Sequence, residues 1–406
     1  MAKQASQAKR TRVKRTAAKR TAAKRTTPQR TAQRARAPAT TTFKAAVMRR
    51  RARPLKLETL SLDEPRADEV LVRIVATGVC HTDIAMRDDR TDTPVPAILG
   101  HEGAGVVERV GAAVRKVKRG DHVVMSFMSC GRCRFCQRGE PSYCEKQFPL
   151  NFACAREDAS VSAHDRKGSV CNHFFGQSSF ATYSLANERN VVKVPKNLPL
   201  ELLGPLGCGL QTGAGAVMNS LKVGVGDSFA AFGTGSVGLA AVMAARVVGA
   251  TTIIAVDIVD ARLRLARRLG ATHAINARKH DPVAAIMKIT GGRGLDYTLD
   301  STGLARVFSQ AVDALGIRGS CGYVTGGVKP ERKFDARAFM AKGKRLIAIL
   351  EGDAVPDVFI PHLIRLYAQG RFPFDKLVRF YPLRQINRAF TDSARGRAIK
   401  PIIRMA

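Results

Sequence analysis

The chain has 406 residues, 45% of them hydrophobic, no Trp, and a formal net charge of +34. That length and apolar fraction suit a soluble protein with two large cores. Nine cysteines, with no apolar leader ahead of the first strands, argue against secretion and disulfides and for metal ligation in a reducing, cytoplasmic compartment. The charge begins at once: residues 1–41 hold 13 Lys and Arg and no acid, leaving +21 on the rest. Lys14-Arg15, Lys19-Arg20 and Lys24-Arg25 recur every five residues, a spacing that places no single face on a helix. Val13 is the only branched aliphatic residue there, too little to offset ordering entropy. Residues 1–42 therefore read as a disordered basic tail. It is either a nonspecific polyanion-binding arm or a solubilising extension.

From Phe43 the texture is globular. Glu69–Val79, Gly103–Gly111 and Asp121–Phe127 are short Val-rich runs bounded by Gly and Asp, the pattern of strands in a β domain. "TGVCHTD" supplies Cys80, His81, Thr82 and Asp83, and "LGHEGAG" supplies His101 and Glu102. "SCGRCRFCQRGEPSYC" then gives Cys130, Cys133, Cys136 and Cys144. Four thiolates within 15 residues predict a closed tetrahedral zinc site with no open position. Cys208 and Thr212 follow in "GPLGCGLQTGAG". Cys80, His101 and Cys208 make a three-ligand set that leaves a fourth zinc position for substrate oxygen, with Asp83 and Glu102 beside the ligands as supporting groups.

From Leu210 strands and helices alternate, which predicts a parallel sheet covered on both faces. Gly233, Gly235 and Gly238 form G-x-G-x-x-G after an apolar strand, and Asp257 follows Gly238 by 19 residues at the end of the next. This is a dinucleotide fingerprint, with pyrophosphate on a helix N-terminus and Asp257 on the ribose hydroxyls. A carboxylate there favours NAD over NADP, and Arg262 nearby softens that preference. The uncharged run Ser228–Ala245 is long enough for a membrane span, but five of its 18 residues are Gly or Ser in this fingerprint, so no membrane segment is expected.

Taken in order, "GVCHTD", "GHEGAGVVERVG", the four-cysteine loop, "GCGLQTGAGA", "GTGSVG…VD" and "INRAFTDSARGRAIKPII" resemble the zinc-containing, medium-chain alcohol dehydrogenase family. The resemblance covers residues 43–406 and is nearest the aryl-alcohol (benzyl alcohol) branch, through "CHTD", "GHEGAGVVE" and "HFFGQSSFATYSLANERNVVKVP". It implies a GroES-like zinc catalytic domain over 43–209 and 351–406, and an NAD-binding Rossmann domain over 210–350. It implies oxidation of a primary aromatic or allylic alcohol to its aldehyde with NAD, two zinc ions per chain, and a homo-oligomer. Another primary-alcohol activity, or a glutathione-linked formaldehyde dehydrogenase, stays open within the family. By the same resemblance Cys80, His101 and Cys208 hold catalytic zinc and the loop cysteines structural zinc. Thr82 contacts the substrate hydroxyl, His81 and Lys400 face the pyrophosphate, and Thr212 lies near the nicotinamide. Ala85 stands where some members carry a proton-relaying histidine, so the final proton acceptor is not named. Phe127 is a candidate wall of the substrate pocket. Cys154, Cys171 and Cys321 read as buried thiols, and Cys171 with His173 is not expected to bind metal.

Overall fold

A computed structural model describes residues 40–88, 93–325 and 334–405. Most of the basic tail lies outside them. The first strand, Thr41–Met48, starts two residues inside the expected tail. Two β-branched threonines begin it, and Thr41 and Thr42 pair with Leu62 and Ser61.

The N-terminal half folds as two antiparallel-rich sheets. The strand Glu69–Gly78 is buried on both faces, consistent with its Val/Ile content. It pairs with Gly103–Val110 on one side, with a register shift. On its other side lie Tyr183–Asn187 and the C-terminal strand Lys400–Arg404. Lys400–Arg404 also pairs in parallel with Val378–Pro382. The end of the chain thus returns to the sheet that carries the first metal-ligand motif.

Between them lies a six-stranded, all-parallel sheet. Its order is His273–Asn276, Thr252–Asp257, Ser228–Phe232, Leu295–Asp300, Leu315–Tyr323, Arg345–Ala348. The first strand in sequence, Ser228–Phe232, sits in the middle, and the order reverses between it and Leu295–Asp300. That reversal is the topological switch point where doubly wound sheets bind nucleotides. The uncharged run Ser228–Ala245 divides into this strand and the helix Ser236–Val247, each far too short to span a bilayer. Among the described residues no helix is long and apolar enough to cross a membrane. The helix is buried over most of its surface because it packs between sheet and neighbouring helices.

One core cluster joins the two halves. It contains Val124, Val192 and Leu206 from the β region and Phe229, Leu239 and Leu363 from around the parallel sheet. A second fills the β region with Phe43, Phe127, Phe174, Phe180 and Phe390.

His173 is buried in the β region and bonds Ser162 Oγ through Nε2 at 3.0 Å. Burial, helped by the positive charges of Arg156 and Arg66, pushes its imidazole from the ordinary 6.5 down to about 3. Between those values the unfolded chain binds a proton that the folded chain refuses, so stability rises with pH. Its full contribution is present above pH 6.5 and is lost as pH falls toward about 3. We expect the unfolding free energy from urea titrations to decline through that window, and that of the His173→Asn protein to decline less steeply by about 1.4 kcal/mol per pH unit. Equal slopes would refute the assignment.

Candidate active site

Cys80 ends the strand Glu69–Gly78 region and precedes the helix His81–Arg87. Asp83, in the first turn of that helix, accepts from Cys80 N–H at 2.9 Å through Oδ2. Its Oδ1 accepts from Gly100 N–H at 3.1 Å and lies 3.0 Å from His101 Nδ1. One buried carboxylate thus fixes both motifs and sets the histidine tautomer, leaving Nε2 as the free ring nitrogen. Among the described residues His101 Nε2 is buried and has no hydrogen-bond partner. Cys80 Sγ, the His101 ring and Cys208 Sγ converge with their ligand atoms all within 4.8 Å of one another. Two thiols and an orphaned imidazole nitrogen at that separation fit a zinc ion with one remaining position. A hydrogen bond from Cys208, aided by His101 against the cost of burial, holds the Cys80 thiol well below its usual range.

Phe175 stacks on His101 with ring centroids 4.4 Å apart, and Phe174 meets it edge-on at 5.4 Å. Phe175 adopts a left-handed φ of +51°, a conformation bulky residues seldom take. It lines the active-site cavity together with Phe152 and Gln147. Phe127 does not: it is 4% exposed and belongs to the β core. The expectation for Phe127 is therefore corrected. Its neighbour Ser126 donates to Gly207 C=O at 2.7 Å, one residue before the ligand Cys208.

The cavity measures about 600 Å³ and continues from the metal ligands to the switch point. Cys80, His81, Thr82, Cys208 and Thr212 line one end. Gly233, Gly235, Asp257 and Arg262 line the other. Gly238 lies beneath the turn: a Cβ there would sit 1.8 Å from Gly233 C=O, so only glycine lets the helix approach the strand. Asp257 is clamped before any ligand arrives. Its Oδ2 accepts from the Thr234 backbone N–H and hydroxyl, each at 2.7 Å, and its Oδ1 from Ile258 and Val259 N–H. Arg262 Nη1 stands 3.9 Å from Asp257 Oδ2. Thr212 donates its hydroxyl to Cys208 C=O at 2.9 Å.

Lys400 lines the cavity and has a second partner. Its ammonium is 2.8 and 2.9 Å from the two oxygens of Glu102, and the pair is buried. Burial works against the charge, but Glu102 and Cys80 keep Lys400 protonated. Glu102 also accepts from Gly209 N–H at 3.3 Å, tying the second ligand motif to the third.

The four loop cysteines also converge, with Sγ atoms within 4.8 Å of one another. Backbone N–H groups of Cys130 and Lys146 point at Cys144 Sγ at 3.2 and 3.4 Å, and Cys133 N–H at Cys130 Sγ at 3.4 Å. Those donors stabilise thiolates and fit a second, closed zinc site. Among the described residues these two are the only His, Cys or carboxylate clusters of metal-ligand geometry. Cys154, Cys171, Cys321 and His173 belong to neither.

Sequence reading missed Glu351. Its carboxyl is buried, with Oε1 3.8 Å from Cys208 Sγ and Oε2 3.2 Å from Gln211 Nε2. Burial pushes it up to about 7. No short motif announces it. Phe152 and Phe175 were missed as well, although "HFFG" was a visible aromatic signal.

Two family models match the chain: an alcohol dehydrogenase GroES-like domain over residues 66–196 and a zinc-binding dehydrogenase over 236–369. The geraniol dehydrogenase of Castellaniella defragrans is 46% identical over 89% of this chain and 97% of its own. The crystal structure of benzyl alcohol dehydrogenase from Acinetobacter calcoaceticus superposes with a TM-score of 0.87 at 48% identity, covering 90% of this chain and all of that one. A zinc-binding-domain alcohol dehydrogenase from Burkholderia ambifaria gives a TM-score of 0.89 at 55% identity, covering 91% and 100%.

Proposed function

The chain belongs to the zinc-containing, medium-chain alcohol dehydrogenase family, and from that premise we propose that it oxidises a primary aromatic or allylic alcohol to the aldehyde with NAD⁺. One observation carries the reading. The Cys80, His101 and Cys208 cluster and the Gly233–Asp257 dinucleotide turn open into the same cavity.

Zinc held by Cys80, His101 and Cys208 supplies Lewis acidity to an alcohol hydroxyl, and NAD⁺ supplies the hydride acceptor. The chain's own groups do the rest. Thr82, whose Oγ1 is 3.7 Å from Cys80 Sγ, lines the cavity where it accepts a hydrogen bond from the substrate hydroxyl. Asp257 and Thr212 line the same cavity, where they would hold the cofactor's ribose hydroxyls and flank its nicotinamide. A nicotinamide bound there would supply the acceptor for the hydride of the substrate's α C–H bond, while the hydroxyl proton passes by way of Thr82 to solvent. The sum is RCH₂OH + NAD⁺ → RCHO + NADH + H⁺. Cys130, Cys133, Cys136 and Cys144 hold the second zinc, away from the chemistry.

The cavity wall supports the proposed alcohol class. Phe152, Phe175, Leu304, Val307 and Leu350 present flat and branched apolar surface to the cavity. The names of the two relatives, geraniol and benzyl alcohol dehydrogenase, point the same way. With purified protein, NADH formation from benzyl, cinnamyl and geranyl alcohols is expected to exceed that from short linear alcohols in kcat/KM. No NADH from any primary alcohol, with both zinc sites filled, would overturn the reading.

A further inference from the structure

Glu351 stands in an unusual piece of backbone. Glu351, Gly352 and Asp353 have φ values of +52°, +68° and +49°, three left-handed residues in succession of which two carry side chains. Such strain persists only where surrounding structure over-determines it. Here the turn is held from three directions. Gly352 packs so tightly on the ligand-bearing helix that a Cβ would lie 2.4 Å from Gln211 C=O. Asn219 Nδ2 donates to Gly352 C=O at 3.0 Å. Tyr143, next to the metal-loop residue Cys144, reaches across with its hydroxyl, 2.7 Å from Asp353 Oδ1 and 3.1 Å from Ala348 C=O.

The result is a buried carboxyl aimed at the sulfur of Cys208 and backed by the amide of Gln211. That amide is itself fixed by Gly207 C=O and Ser126 Oγ, both at 2.8 Å. Glu351 is not one of the three residues whose ligand atoms all lie within 4.8 Å of one another, and its close approach is to the Cys208 sulfur.

We propose that Glu351 is a positioning residue of the catalytic metal site, acting through the Cys208 sulfur, and that Tyr143 ties its turn to the four-cysteine loop. The four-cysteine loop thereby gains a second role: it braces one wall of the active site from a distance. The inference rests on the assignment of Cys208 as a ligand.

The test uses the full chain with cobalt in the three-ligand site and zinc kept in the loop. Thiolate-to-cobalt charge transfer reports the Cys80 and Cys208 sulfurs together, and Glu351 touches the second of them. In Glu351→Ala the band shifts, and a chelator removes the cobalt about 10- to 100-fold faster. Glu351→Gln retains the length and hydrogen-bonding capacity, and it stays within about threefold of the unsubstituted protein. Tyr143→Phe, distant from the cobalt, moves the band in the same direction and accelerates loss by about threefold. Thermal midpoints accompany each variant, because a merely structural role lowers the midpoint without moving the band. An unshifted band and unchanged chelator rate in Glu351→Ala would overturn the proposal. If that variant does not fold, the same null result in Tyr143→Phe overturns it. A cobalt–thiolate band that is unchanged in Cys208→Ser would instead refute Cys208 as a ligand, and the proposal with it.

Discussion

Cys80→Ala is expected to lower alcohol oxidation at least about a thousandfold, equivalent to about 4 kcal/mol of transition-state stabilisation. The sulfur is one of three convergent ligand atoms, and methyl in its place leaves His101 and Cys208 with no closed cage. Zinc content should fall from two ions per chain to one. The fold should survive, because Cys80 is only partly buried and the helix it precedes keeps Asp83, with its bonds to Cys80 N–H and Gly100 N–H. The readouts are NADH formation, zinc per chain and the thermal midpoint. Activity within tenfold of the parent, with one zinc lost, would place the chemistry elsewhere.

Cys136→Ala should act on stability first. The apolar cluster of the loop contains just Cys130, Cys144 and Leu150, with Met128, Cys133 and Cys136 at its edge. So small a cluster cannot order the segment without its metal. Loss of one thiolate is expected to lower the thermal midpoint by at least about 6 °C. It should also open the loop to trypsin at Arg132, Arg134 and Arg138, which are exposed on its surface. Turnover of the remaining folded protein should fall far less than in Cys80→Ala. Unchanged trypsin resistance and midpoint would show that the loop is ordered by protein contacts alone.

The short motifs made much of the site legible in the sequence. "CHTD" and "GHE" each place a ligand beside the acid that orients it or its neighbour, and such relations survive because they are local. The dinucleotide turn was legible for the same reason, since strand, glycines, helix and Asp257 form one continuous unit. The strand and helix boundaries from Ser228 to Leu269 follow the apolar pattern closely. What was not legible depends on distant chain paths. Glu351 meets Cys208 across 143 positions, by way of a left-handed turn that composition does not signal. Lys400 was visible as a cation, but its partner Glu102 lies 298 residues earlier. Phe127 was placed by nearness to the zinc loop, whereas side-chain direction alternates along extended backbone, and its ring turns into the β core. Glu102 and Lys400 show the same limit from both ends: each motif was found, and their pairing was not.

The Asp83 carboxylate has a consequence for how the site moves. It joins Cys80 to His101, two ligands only 21 positions apart, while Cys208 comes 107 residues later. A displacement of either early motif is carried to the other through one buried side chain, whereas Cys208 reaches the site on a separate stretch of chain.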